Sequence, residues 1–204
     1  MSDDREAILG RVRSALAPLT ERAPLPAYDT EIAVLRKLLA NRDPLAVFAD
    51  RLRGVNGTAL TDIPALVKYL RDGKWLHGYC DPALWPRLAS HFGPDFQVET
   101  EYDRTRVDDY AFGITRAAGG IAELGTVILK DGSTSRRLAA LTPWVHVAVF
   151  SRAELFVDLP QAIAALGDDP NIIWCTGPSK TADVEGILIE GVHGPGVQIA
   201  LVLD

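Results

Sequence analysis

The chain has 204 residues and a formal net charge of −6, with 48% hydrophobic and 24% charged residues. That is enough apolar material for one sizeable core, and there is no basic excess with which to displace counterions from nucleic acid. No apolar run approaches the roughly 20 residues needed to cross a bilayer, and the acidic start MSDDRE lacks the basic-then-apolar order of a signal peptide, so a cytoplasmic protein without a membrane span is expected. Cys80 and Cys175 lie far apart and form no C-x-x-C pair. They are too few for an iron–sulfur cluster or a Cys-rich structural zinc, and read as reduced, small, mostly buried hydrophobes.

In chain order, residues 5–17 place Ile8, Val12, Ala15 and Leu16 on one helical face, with Asp3 or Asp4 available as a cap. Three prolines, Pro18, Pro24 and Pro26, make the next stretch an extended linker. The chain is therefore divided into an N-terminal helix with a Pro-rich linker, 1–30, and an α/β domain, 31–204. Residues 31–53 read as a long helix restarted near Asp43-Pro44, with Asp43 as cap and Pro44 in the first turn. A short strand within Gly54–Leu60 follows, then a helix opened by Asp62-Ile63-Pro64 and ended at Gly73. Lys74–Tyr79 reads as a strand and Pro82–Phe92 as a helix. This alternation favours an open, mainly parallel sheet. Further on, Tyr110–Thr115, Ile121–Leu129, Val145–Phe150, Asn171–Thr176 and Val197–Leu203 read as strands, and Leu159–Leu166 as a helix. Lys130–Arg137 reads as a polar turn or mobile loop, and Gly177–Asp183 as the opening of a helix or turn.

Two stretches carry chemistry. The first runs from Thr176 through Gly177, Pro178, Ser179, Lys180, Thr181 and Asp183 to Glu185. A Gly-led turn after an apolar strand exposes backbone N–H groups. With the Ser179 and Thr181 hydroxyls and the Lys180 charge, it could cradle a phosphate or carboxylate. The alternative is a capped helix whose hydroxyls satisfy its own backbone. No P-loop spacing is present.

In the second stretch, GGIAELGTVIL, Glu123 interrupts an apolar strand. A carboxylate there must be hydrogen-bonded or open to a pocket. It reads either as a general base, nucleophile or ligand contact, or as an ordinary strand-edge glutamate. Gly125 permits close backbone approach and Thr126 supplies a hydroxyl. His146 lies in an apolar strand and reads first as a satisfied core histidine; His193, between Gly191 and Gly194, is better placed to meet a ligand. Arg136 and Arg137, beside Ser133-Thr134-Ser135, form a solvated loop or a lid over an anion. The spacing of His146, His193, Asp183, Glu185 and Glu123 matches no defined metal motif, so no metal site is assigned.

Three blocks, IAELGTVIL at 121–129, LTPWVHVAVF at 141–150 and GPSKTADVEGILIEGVHGPG at 177–196, resemble the LUD-domain family, and within it the lactate-utilisation protein C group. The resemblance implies a three-layer α/β/α fold like that of the NagB, RpiA and CoA-transferase group. It carries over Glu123 as the candidate catalytic residue. Gly125, Thr126, His146, Gly177, Ser179, Lys180, Thr181, Asp183, Glu185, His193 and Gly194 carry over as candidate ligand contacts. Leu124 stands where the family shows a hydroxyl residue. The implied function is the cluster-free subunit of a system oxidising L-lactate to pyruvate, partnered by iron–sulfur subunits and binding a small anionic ligand near the strand ends; no cofactor is identified. The alternatives are a stand-alone enzyme on a small phosphorylated or acyl substrate, with Glu123 as base or nucleophile, and a metabolite-sensing regulator.

Overall fold

The computed structural model describes residues 2–19, 41–131, 136–167, 171–182 and 185–204. The chain divides into two compact units, Met1–Leu35 and Arg36–Asp204. The expected linker beyond Leu19, the 31–40 part of the expected long helix, the Ser133–Ser135 segment and Asp183 lie outside the described residues.

In the first unit, helix α1 (Ser2–Leu16) carries the expected stripe of Ile8, Val12 and Leu16, all exposed.

The second unit begins with α2 (Pro44–Gly54). The Asp43 side chain accepts the Leu45 N–H, and Pro44 occupies the first turn, where its missing N–H costs nothing. Strand β1 (Thr58–Leu60) leads to α3 (Ile63–Asp72). Asp62 accepts the Ala65 N–H at 2.8 Å, and Ile63, Leu66, Val67 and Leu70 form a buried stripe at helical spacing. Then follow β2 (His77–Cys80), a single α-turn, α4 (Trp85–Leu88), which tightens into a 3-10 turn over Ala89–His91, β3 (Gln97–Glu99) and β4 (Phe112–Arg116). After these come β5 (Gly119–Ile121), β6 (Thr126–Lys130), α5 (Arg137–Leu141), β7 (Val145–Ser151), β8 (Leu155–Phe156) and α6 (Leu159–Leu166). The chain continues through β9 (Ile172–Cys175), β10 (Lys180–Ala182), β11 (Leu188–Glu190) and β12 (Val197–Leu203).

The expected open parallel sheet is present: six strands in the order β1-β12-β7-β4-β2-β3, every pairing parallel. Both faces of its central strands are covered, which explains their nearly continuous apolar runs. One face, with Phe112, Ile114, Val147 and Leu201, packs on α3 and Leu88 of α4. The other face, with Ala148, Phe150, Ala200 and Val202, packs on α2 and on a second sheet of order β8-β5-β6-β9, represented by Val127 and Leu129. Helix α6 covers the far side of that second sheet through Ala162 and Leu166.

One expected element is corrected, and one open alternative is decided. The apolar run 121–129 is not one strand: β5 and β6 are antiparallel arms of a hairpin that turns through Ala122–Gly125, closed by Gly125 N–H donating to the Ile121 carbonyl at 2.9 Å. Of the two alternatives for the segment after Gly177, a helix or a turn, the structure has the turn. It turns into β10, which pairs antiparallel with β11 as a separate two-stranded sheet. Periodicity missed the first turn because the apolar residues on either side of Glu123–Gly125 read as one strand. The glycines Gly125 and Gly186, at φ +66° and +79°, were the available signals.

Gly125 tests the hairpin. A Cβ there would approach the Leu52 backbone nitrogen to 2.4 Å at a φ that favours glycine. Gly125→Ala is expected to destabilise the domain by about 1–3 kcal/mol, read as a lowered midpoint of urea unfolding with an unchanged slope. An unchanged midpoint would show that the hairpin does not bear on α2 as described.

Candidate functional site

Across the face of the central sheet that meets the second sheet runs a buried row of polar side chains. The register sets His146, the second residue of β7, opposite Gln198, the second residue of β12. His146 Nδ1 lies 3.0 Å from Gln198 Oε1, and Nε2 lies 2.8 Å from Thr115 Oγ1 of β4. The Gln198 amide, whose nitrogen faces the Ile199 carbonyl, assigns the Nδ1–H tautomer. The ring therefore donates to Gln198 and accepts the Thr115 hydroxyl. His146 is 1% exposed, and its desolvation pulls its pKa down to about 4, against a smaller upward pull from Gln198. Both ring nitrogens are occupied and the ring is neutral at pH 7, which is the satisfied core histidine rather than a proton carrier.

His146 and Gln198 of this row form the floor of a cavity of about 300 Å³, at the small end of the range for ligand pockets. The second sheet supplies one wall, with Leu129 of β6 and Ile173, Trp174 and Cys175 of β9; α5 supplies another, with Arg137, Ala140 and Leu141. The turn Thr176–Ser179 and the loop His193–Pro195 close the remaining side. These two segments are tied to each other, because Ser179 N–H donates to the Pro195 carbonyl and Gly191 N–H to the Ser179 carbonyl, both at 2.9 Å. The cavity opens at the amino ends of β7 and β12 and at the carboxyl end of β9. Its walls are mostly apolar, with Arg137, Thr176, Ser179 and His193 as the polar groups above the floor. Arg137 forms a two-pronged ion pair with Asp131, whose carboxyl is held below its ordinary range chiefly by the Arg137 hydrogen bond. Burial pushes the Cys175 thiol up to about 11, so it lines the cavity as a protonated, weakly reactive group.

The candidates from sequence separate into two sets. His146, Gly177, Ser179, His193 and Gly194 line the cavity; Glu123, Gly125, Thr126, Lys180, Thr181 and Glu185 do not. Glu123 lies in the β5–β6 turn, and its Oε1 accepts the Leu159 N–H at 2.8 Å, in the first turn of α6. Asp158 caps the same helix by accepting the Gln161 N–H at 2.9 Å. Two carboxylates thus satisfy two of the free N–H groups that every helix start leaves. Lys180 Nζ donates to the Val55 carbonyl at 2.8 Å and lies 3.4 Å from Glu190, which also accepts from Asn56 at 2.7 Å. The charge expected in an anion cradle instead fastens the β10–β11 hairpin to the turn after α2, and Glu123, Lys180 and His193 do not converge on one pocket. Thr126 exchanges a 2.7 Å hydrogen bond with Thr176 and so joins β6 to the end of β9. Thr181 faces Ile189 across the hairpin, and Glu185 is exposed in its turn.

Sequence reading missed Gln198 and Thr115, and it named Thr176 only as the start of the first stretch, not as a ligand contact. Gln198 had a visible signal: VHVAVF and VQIALV place a polar residue second in otherwise apolar strands, which is a buried hydrogen-bonded pair when the strands lie side by side in register. Among the described residues, no group of three or more His, Cys, Asp or Glu side chains is placed to hold a metal.

An open parallel α/β sheet backed by a hairpin sheet, with a cavity of about 300 Å³ between them, places the chain in the class of layered α/β proteins. The LUD domain profile matches residues 74–203, and the chain belongs to the LUD-domain family. It is 28% identical over 138 residues to lactate utilization protein C of Geobacillus sp. (strain WCH70), covering 64% of this chain and 53% of that protein. It is 37% identical over 91 residues to lactate utilization protein C of Halalkalibacterium halodurans, covering 41% of this chain and 40% of that protein. The chain thus spans about half the length, or less, of these curated relatives. A crystal structure of a DUF162 family protein from Deinococcus radiodurans superposes with a TM-score of 0.58 at 21% identity, covering 79% of this chain and 96% of that one, which shows the shared fold.

The buried histidine gives a pH prediction. A folded pKa of about 4 against an unfolded value of about 6.5 means that the unfolded chain binds the proton first. The His146 contribution to stability is therefore full above about pH 6.5 and is lost as pH falls toward 4, by roughly 2–3 kcal/mol at pH 4.5. Urea unfolding between pH 7.5 and pH 4.5 should show this slope in the native protein and a flatter one in His146→Gln. Equal slopes would mean that the ring is not buried neutral.

Proposed function

We propose that the chain works in lactate utilisation, as the cluster-free subunit of a system that oxidises L-lactate to pyruvate beside iron–sulfur partners, and that the 300 Å³ cavity receives a small carboxylate. The observation that carries this reading is the composition of the cavity. Hydroxyls of Thr176 and Ser179, the His193 ring and the Arg137 guanidinium stand at its polar side, against apolar walls from β9 and α5. Such an arrangement suits a ligand with one charged end and a short apolar remainder. The names of the relatives support the metabolic setting, and two isolated free cysteines support the cluster-free role. The reading with Glu123 as base or nucleophile has lost its support, since that carboxylate is committed to the start of α6 and lies outside the cavity.

Mechanistically, the chain's own groups bind and orient. A carboxylate accepting hydrogen bonds from the Ser179 and Thr176 hydroxyls would rest its non-polar portion on Leu129 and Ile173, while His146 and Gln198 below hold a fixed, neutral floor. Arg137, bridged to Asp131, would steer the anion without presenting an unshared charge.

Deletion of the gene in its host should abolish growth on L-lactate as sole carbon source and leave growth on glucose intact. Restoration should be complete with the native gene and with Glu123→Gln, and weak with His193→Ala combined with Ser179→Ala. Undiminished growth of the deletion strain would reject the reading, and full restoration by the double variant would reject the role of the cavity.

A further inference from the structure

Each hydrogen bond along the row Thr115, His146 and Gln198 has a donor end, and one main-chain acceptor sets the direction of them all. Gln198 Nε2 faces the Ile199 carbonyl at 3.4 Å, which turns Oε1 toward His146 Nδ1 at 3.0 Å. An amide oxygen only accepts, so His146 carries its hydrogen on Nδ1 and keeps a bare lone pair on Nε2. Thr115 then donates its hydroxyl hydrogen to that nitrogen, 2.8 Å away. Both bonds therefore run the same way, from β4 through β7 to β12. The direction holds at neutral pH because burial keeps the ring unprotonated.

The row ends at Gln198, which is 3% exposed and lines the cavity. Its amide nitrogen has two hydrogens. One lies toward the Ile199 carbonyl, and the other meets no acceptor among the described residues. The two acceptors of the floor are already engaged, Gln198 Oε1 by the imidazole and His146 Nε2 by the Thr115 hydroxyl. The floor thus offers the cavity a free donor and no free ring nitrogen. A buried N–H without a partner is costly, so a ligand atom that accepts from it is favoured. The hydroxyl-bearing turn adjoins this floor, since Ser179 N–H is bonded to the Pro195 carbonyl just ahead of β12.

We infer that Gln198 reads the oxidation state of the ligand: with the carboxylate held by Ser179 and Thr176, its free N–H donates to the oxygen on the neighbouring carbon and favours a 2-oxo acid over the matching 2-hydroxy acid. The inference rests on the carboxylate reading of the cavity. A keto oxygen brings only lone pairs to that N–H. A hydroxyl accepts there too, but it brings a hydrogen that must go unpaired or compete with His146 for the Gln198 oxygen. His146 acts through Gln198 and is a positioning residue. In a system that oxidises L-lactate, the chain then holds the product rather than the substrate.

Calorimetric titration of the full chain with pyruvate, and separately with L-lactate, tests this. Pyruvate should bind about tenfold more tightly, as one unpaired polar hydrogen implies. Gln198→Met, which has a similar volume and no amide, should weaken pyruvate and bring the two acids within about twofold of each other. Ser179→Ala should weaken both acids and keep their ratio. Nitrogen NMR of the native protein reads the direction of the row without any variant, and should find the His146 hydrogen on Nδ1. Equal affinities, a preference for L-lactate, a ratio retained in Gln198→Met, or the hydrogen on Nε2 would each overturn the inference while leaving the carboxylate reading intact. No saturable heat from either acid, or binding unmoved by Ser179→Ala, would reject the carboxylate reading and the inference with it. Thermal unfolding confirms that each variant is folded, and where Gln198→Met is not, the native ratio and the ring hydrogen decide.

Discussion

The hydrogen-bonded row Thr115–His146–Gln198 is the constraint around which the domain is arranged. Three adjacent parallel strands each contribute one polar side chain to a layer where the next residues along, Ala148, Phe150, Ala200 and Val202, are apolar and packed against α2 and the second sheet. An imidazole in such a layer is tolerated only if both nitrogens are satisfied and the ring stays neutral. Both conditions fix the register: a one-residue slip between β7 and β12 would send Gln198 to the opposite face and leave His146 Nδ1 unpaired. The row also marks where the apolar layer stops, and the cavity begins directly above it.

The sequence made the central sheet and its helices legible for identifiable reasons. Asp43-Pro44 and Asp62-Ile63-Pro64 are caps with proline in the first turn, and both helices begin there. VHVAVF and VQIALV read as buried strands because nothing else fits short β-branched runs of that length, and they lie paired at the centre of the sheet. What was not legible was order across space. The last strand, β12, is inserted between β1 and β7, and only tertiary contacts determine that. The site was legible in part. The GPS and HG segments of the third block line the cavity, but its floor partner Gln198 and the pairing of Arg137 with Asp131 depend on residues far apart in the chain.

The residues that looked most chemical are mainly spent on architecture. The Lys180 ammonium and the Glu123 carboxylate each satisfy main-chain groups of a neighbouring element. The glycines around His193 have a comparable explanation. A Cβ at Gly191 or at Gly196 would fall within 2.4 Å of the Trp144 ring, so the loop is glycine-rich because an indole lies against it. Gly177 likewise sits at φ +80°, with the Val55 carbonyl 2.5 Å from where its Cβ would stand. A motif dense in Gly, Ser, Lys and His can therefore encode a close-packed junction among α2, the β10–β11 hairpin and Trp144. The same junction holds Ser179 and His193 in place at the cavity.

That division of labour bears on what the cavity can select. With Lys180 engaged by Val55 and Glu190, and Arg137 shared with Asp131, no unshared cation faces the cavity from these two segments. A multiply charged ligand would lose more hydration than neutral hydroxyls and an already paired guanidinium return. A singly charged carboxylate loses less and gains contact with Leu129, Ile173 and Trp174. The selectivity proposed for this cavity thus follows from which cations the fold has already used.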